Sequence, residues 1–394
     1  MQKYSEVVGY INNYWPLLVK NAKNNPKQLE DISDVNKNIF LPYDYIVPGG
    51  RFDTMFYWDS FFTIVGLTDS PKFHVLIKNM TDNCLYMVDK FGRVLNSNKK
   101  RWSSRSQLPY LTSMIEVVYN IYRDDYWLTC AYQMALKEYE GYWCSGNHIF
   151  KDIGLSRFYE DSGDNWKTRH TEASWDMSPR YDDDDTTDLA PIDLNANLYL
   201  YEVHFSQHFS RTGESELAEK FKKRAESRKQ KMRELLWCEE DGLFYDYNTS
   251  TQGQKKVKSV ASFVPMWAGM VDEEHADKLV KNLSLFEHQH GLSTCDNDYG
   301  YNDRQWNYPI GWAPLHWMVY EGLKKYGYDE LAYRIAEKWL DLNVAVFEKT
   351  SLLWEKYDVV NGKESTVFDR YPPQHGFGWT NGVFLYFVKE LQAR

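Results

Sequence analysis

Helical periodicity in about twelve stretches, a near absence of alternating strands, and no linker anywhere in 394 residues predict an all-α protein. Consecutive antiparallel helix pairs without a sheet can close into an inner and an outer ring. Such a double ring has a funnel at one end, into which the long inter-helix loops project. A superhelix of repeats would satisfy the same pattern, but the chain has no self-similar period. One domain spanning 1–394 is therefore expected.

The periodic stretches lie near 2–24, 58–69, 72–91, 106–124, 126–141, 191–212, 214–238, 258–270, 272–286, 310–327, 328–348 and 377–392. Phe73, Leu76, Ile77, Met80, Cys84, Met87 and Val88 follow the i, i+3, i+4, i+7 template, as do Leu108, Leu111, Ile115, Val118 and Ile121. Leu331, Ile335 and Trp339 form one stripe beside a second of Ala332, Ala336 and Leu340. In 214–238, Leu217, Phe221, Ala225, Met232 and Leu236 share a face, and the Lys and Arg residues opposite read as a solvated surface. Ser70–Pro71 and Gly213–Ser215 supply turn and cap chemistry between helices.

Charge and composition exclude several functions. A net charge of −10 offers no basic field for nucleic acid. The five cysteines are scattered, with no CxxC pair, so neither a disulfide framework nor a zinc site is indicated. The N-terminus lacks a signal-peptide profile, and no apolar run approaches the roughly 18 residues of a membrane span. A soluble, cytoplasmic protein acting as a monomer, without metal or cofactor, is expected. Aromatic residues make up 16% of the chain, enough either to fill wide gaps between helical layers or to stack on sugar faces.

Three long polar–aromatic loops carry the candidate chemistry: 157–185, 302–317, and 352–360 followed by 369–385. In the first and third, Asp176 follows Trp175 and Glu355 follows Trp354. An indole desolvates a neighbouring carboxyl and raises its pKa, as a general acid requires. Paired carboxylates in an aromatic cleft suit glycoside hydrolysis. A Trp-adjacent acid is more often a satisfied structural carboxylate, and spacing by itself leaves both readings open. "DDDD" (182–185) lacks the frame of a calcium loop, and His288–His290 lacks a matching partner for zinc.

"PGGRF…YWDS" (48–60), "SRSQLP" (104–109), "WDMSPR" (175–180), "PIDLN" (191–195), "QWNYPIGWAP" (305–314), "EKYD" (355–358) and "GFGWTNGV" (376–383) together resemble, in order, the motifs of the family 37 trehalases. The resemblance implies an (α/α)6 toroid and an inverting mechanism without metal. It implies Asp176 as general acid, Glu355 as general base, and a small disaccharide as substrate. It also implies sugar-binding roles for Arg51, Trp58, Asp59, Asn96, Arg105, Ser106, Gln107, Arg157 and Glu160, with Trp58 and Trp306 as stacking faces. Ser174 and Arg370 fall in sugar-site motifs as departures: the family carries Gly and, in bacterial members, Glu there. Thr54, Phe56 and Asn307 replace a Glu, a Tyr and an Asp. The charge reversal at Arg370 favours an anionic aglycone such as a glycerate.

Overall fold

Each predicted stretch contains an α-helix. The computed structural model describes residues 2–22, 35–160, 172–181, 186–301, 303–365 and 371–394. Among these, the α-helices are α1 (Ser5–Leu18), α2 (Tyr57–Ile64), α3 (His74–Phe91), α4 (Leu111–Tyr122), α5 (Asp125–Glu138), α6 (Ile192–Arg211), α7 (Ser215–Leu235), α8 (Val264–Trp267), α9 (Glu273–Lys281), α10 (Ala313–Lys325), α11 (Asp329–Thr350) and α12 (Gly378–Ala393).

The even-numbered helices form the inner ring of an (α/α)6 toroid. Around it, α12 packs on α2 and α10, α10 on α8, α8 on α6, and α6 on α4. The ring closes where Tyr57 Oη, at the start of α2, accepts from the backbone N–H groups of Tyr110 and Leu111 at 3.0 and 2.7 Å. All eight residues of α2 are buried, which is why its pattern shows no polar face. The odd-numbered helices are outer and amphipathic, burying stripes such as Ala332, Ile335, Ala336, Trp339 and Leu340 of α11. On α7 the solvated face has one exception. Arg228 is buried and bonds Glu202 and Asn195 on α6, at 2.9 and 2.8 Å.

Helix ends depart from the predicted bounds for local reasons. Residues 105–110 are extended rather than helical, because Leu108 N–H donates to Ser174 and Ser106 N–H to Glu172 instead of to a preceding turn. Val19–Lys20 leaves α1 to pair with Tyr45–Ile46. After α2 the chain tightens into a 3₁₀ turn at Val65–Leu67, where Gly66 meets Gly382 of α12. A Cβ on Gly382 would lie 2.5 Å from the Phe62 carbonyl, so glycine alone permits this approach. The strands are two- and three-residue pairs. The one that shapes the site joins Ile310–Trp312 to Lys356–Asp358, with Trp312 opposite Lys356.

Much of the aromatic content fills the toroid's axis. Phe61 stacks on Tyr110 at 4.7 Å and meets Trp317 edge-on at 5.3 Å, while Trp267 lies 5.7 Å from Tyr110. This layer closes the ring below the funnel, so the cavity above it has a floor.

Candidate active site

The inner helices begin at the funnel, so their N-terminal ends surround one cleft. Asp59 sits in the first turn of α2, and Trp379 in the first turn of α12. Gln107 precedes α4, and Trp312 caps α10. Helix N-termini carry partial positive charge, so this end of the ring favours carboxylates. The cleft encloses about 830 Å³ including its open mouth, and Asp59, Asp176 and Glu355 all line it.

The carboxylates stand in different surroundings. Glu355 is almost fully buried, and its Oε1 accepts from the Tyr371 hydroxyl at 2.8 Å. Its Oε2 accepts no hydrogen bond from the described residues and has Lys356 Nζ at 3.6 Å. Burial raises the Glu355 pKa and Asp176 adds to the rise, against the pull of Lys356 and Tyr371. Burial holds the Asp59 carboxyl well above the usual range, reinforced by the charges of Glu355 and Asp176. Three acids that act on one another in this way are discouraged from ionising all together. A carboxylate accepts from hydroxyls and a carboxyl also donates to them, so Asp59 suits a sugar hydroxyl in either form.

The loop bearing Asp176 is held in a demanding conformation. Ser174 (φ 66°) and Met177 (φ 61°) bracket it in the left-handed region, at roughly 1–3 kcal/mol apiece. Ser174 thus occupies a position that glycine would fill without strain, and its hydroxyl accepts from Leu108 N–H at 3.1 Å. Four residues beyond Asp176, buried Arg180 forks onto Asp193 (3.0 and 3.1 Å) and Asp246 (2.9 and 2.8 Å). Asp246 also accepts from Ile192 N–H at 2.9 Å, so the loop is tied to the start of α6. The Arg180 guanidinium lies 4.7 Å from the Trp175 ring, fixing the residue before the acid.

Under the carboxylates lies a block of indoles. Trp306 stacks on Trp312 at 3.9 Å with planes 2° apart, and on Trp175 at 5.4 Å. Trp58 joins at 5.4 Å from Trp306 and 5.5 Å from Trp379. Trp58 and Trp306, expected as stacking faces, both line the cleft, but Trp306 also stacks on Trp312 and Trp175 and Trp58 packs against Trp306 and Trp379. The half-buried rings of Phe52, Trp102 and Tyr371 stand at its rim, with Arg51 and Arg101 beside them.

A family model described as Trehalase matches residues 1–182 and 160–392, which together span nearly the whole chain. The chain belongs to the trehalase family. Among solved structures it is similar to neutral trehalase Nth1 from Saccharomyces cerevisiae, at a TM-score of 0.79 and 26% identity, covering 88% of this chain and 73% of that one. It also shares its fold with a GH63 mannosylglycerate hydrolase from Thermus thermophilus (TM-score 0.72, 16% identity, covering 96% and 99% of the two chains). A rhamnosidase from Klebsiella oxytoca is similar at a TM-score of 0.54 and 14% identity, covering 87% and 59%. Family and fold make this chain a glycoside hydrolase.

Within this trehalase-family chain, Arg51, Trp58, Asp59, Asn96, Gln107, Ser174, Asp176, Trp306 and Glu355 line the one cleft. Other residues expected there do not reach it. Arg105 pairs with Glu160 at 2.9 Å behind Trp102, whose ring it meets at 5.0 Å. The Ser106 carbonyl accepts from Asn96, and its N–H donates to buried Glu172, so it braces the wall. Arg157 donates to the carbonyls of Asn147 and Thr187 and packs on Phe150 and Tyr159, away from the cleft. Arg370 and the acidic run 182–185 lie outside the described residues. Thr54 is buried against Ser97, and Asn307 uses its amide to donate to the Asp298 and Tyr301 carbonyls at 2.7 and 2.8 Å. Neither departure from the family pattern alters the cleft surface directly.

Gly49 and Gly50 (φ 109° and 56°) serve the fold rather than an approach to sugar. A Cβ on Gly50 would lie 2.4 Å from Gln374 Oε1, the atom that accepts from Arg51 N–H at 2.7 Å. The Gln374 carbonyl accepts from Glu355 N–H at 2.8 Å, so this one residue joins the "PGGRF" turn to the candidate base. Sequence reasoning missed Phe52, Arg101, Trp102, Gln305, Trp312, Tyr371, Phe377 and Trp379. Most of these sit inside or next to quoted motifs, and proximity to those motifs was the available signal.

Proposed function

We propose that this glycoside hydrolase cleaves an α-glucoside, α,α-trehalose, with inversion at the anomeric carbon, Asp176 acting as general acid and Glu355 as general base. The observation that carries the reading is the disposition of Glu355. One of its oxygens is oriented by Tyr371, while the other accepts no hydrogen bond from the described residues, in a cleft shared with Asp176. Asp176 would protonate the bridging oxygen as the C–O bond breaks. Glu355 would take a proton from a water attacking the opposite face of the ring. Asp59 and the amide of Gln107 would bind hydroxyls, and the rim aromatics would cover the apolar faces of the sugar.

A second substrate is supported by the rim. The side chains of Arg51 and Arg101 lean on aromatic rings, 5.3 Å from Tyr371 and 4.7 Å from Trp102, and neither forms an ion pair among the described residues. Two such guanidinium groups would suit a carboxylate-bearing aglycone. One fold neighbour is a mannosylglycerate hydrolase described in complex with Tris and D-glycerate (TM-score 0.66, 15% identity).

A substrate panel decides between them. Trehalose, glucosylglycerate and mannosylglycerate are incubated in parallel, and the first product anomer is followed by proton NMR. Glucose released from trehalose, initially as one β-anomer per cleavage, supports the first reading. Turnover of a glycerate glycoside alone supports the second, and initial release of α-anomer with no β-anomer rules out inversion.

A further inference from the structure

Lys356 adjoins the candidate base yet does not line the cleft. Successive residues of an extended strand normally point to opposite faces. Glu355 immediately precedes the strand Lys356–Asp358, and its side chain reaches the cleft. The Lys356 side chain enters the wall behind it, and only 1% of the residue is exposed. Its Nζ donates to Gln305 Oε1 and lies 5.1 Å from the ring centroids of both Trp312 and Tyr371. Among the described residues Glu355 is its one ion-pair partner, at 3.6 Å. That separation exceeds a hydrogen bond, so the ammonium acts on the carboxylate chiefly by charge, while Oε1 accepts from Tyr371.

A buried ammonium is strongly unfavourable without a compensating charge, so the pair belongs together. We propose that Lys356 is a positioning residue for Glu355: from behind the wall its ammonium fixes the charge and the orientation of the carboxylate without touching substrate. The groups around Glu355 make the requirement plain. Asp59 from α2 and Asp176 from the 172–181 loop face it with acid groups. Tyr371 donates to it, and Arg51 stands 5.3 Å from the ring centroid of that tyrosine. Burial and Asp176 work against ionisation of Glu355, and Lys356 is the foremost opposing influence, ahead of Tyr371.

The inference rests on Glu355 being the base, and the test separates the two. Protein labelled with ¹³C at glutamate Cδ is titrated by NMR, with Glu355→Gln assigning the resonance. The titration is repeated for Lys356→Met, Lys356→Gln and Lys356→Arg, with circular dichroism confirming the fold. The pH dependence of kcat/KM is measured alongside, on whichever glycoside is turned over. Loss of the ammonium should move the Glu355 midpoint up by about one pH unit or more, a tenfold loss of base at low pH, and shift the acid limb equally. Lys356→Arg should restore both. An unmoved midpoint in folded Lys356→Met or Lys356→Gln overturns the proposal. So does a result in which neither folds while Lys356→Arg does, which would make the residue a structural counter-charge. Failure of the base assignment shows separately, as full activity in Glu355→Gln.

Discussion

The Tyr371 hydroxyl donates to Glu355 Oε1 at 2.8 Å, joining the 371–378 segment to the acid that begins the 355–358 motif. A hydrogen bond to an ionised group contributes about 1.5–3 kcal/mol, and this one favours the carboxylate form. Tyr371→Phe should therefore raise the Glu355 pKa further. Because a base must be ionised, the acid limb of kcat/KM should move to higher pH, with activity at neutral pH reduced less. A pH–rate profile unchanged from the parent protein would remove Tyr371 from this role.

Asp176→Asn and Glu355→Gln should each lower hydrolysis by at least about 10²-fold, the lower end of what positioned acid–base groups contribute. Their responses to leaving group should differ. A glucosyl fluoride needs little protonation on departure, so it should recover much of the rate in Asp176→Asn and none in Glu355→Gln. Equal recovery in both variants would mean the two roles are wrongly divided.

Arg180 is held by two buried aspartates, and truncating it leaves both without their cation. Breaking such a group typically costs about 3–5 kcal/mol. Arg180→Met should lower the thermal midpoint measurably and, because the Asp176 loop is tied to α6 through this residue, depress kcat in what remains folded. Differential scanning calorimetry with single-temperature kinetics checks both effects.

Glu138 lies wholly buried beneath the ring closure, where its oxygens accept from Val94 N–H at 3.2 Å and Tyr201 Oη at 3.1 Å. Burial pushes its pKa up to about 7, against the lowering effect of these donors. A carboxyl raised in the folded state binds its proton more tightly there than in the unfolded chain. Its unfavourable contribution is therefore absent below the ordinary value near 4.5 and fully present above about 7. Stability should fall across that window by something on the order of 3 kcal/mol. Glu138→Gln should flatten the slope, seen by chemical denaturation at a series of pH values. A slope equal to the parent's would show that other groups carry it.

The helical stretches were legible because their stripes recur with the α-helical period, and the site motifs because their order along the chain matched a family. The helix ends at 105–110 and 65–67 were not. There, contacts from Ser174, Glu172 and Gly382 override a pattern that locally reads as continued helix. The same limit applied to Trp306. Its residue type permits stacking on sugar, but Trp312 and Trp175 also stack on it.

By itself the sequence determined an all-α chain, two candidate acids, and their aromatic surroundings, because periodicity and motif order are properties of the chain read in line. Only the tertiary structure decided which residues share the cleft. It brought Asp59, Asp176 and Glu355 into mutual influence, turned Arg157 outward, set Arg105 behind Trp102, and placed Lys356 against the back of Glu355. The reason is physical. Charge, burial and hydrogen bonding act over a few ångströms in space, and residues 59, 176 and 355 become neighbours only when six helix pairs close into a ring.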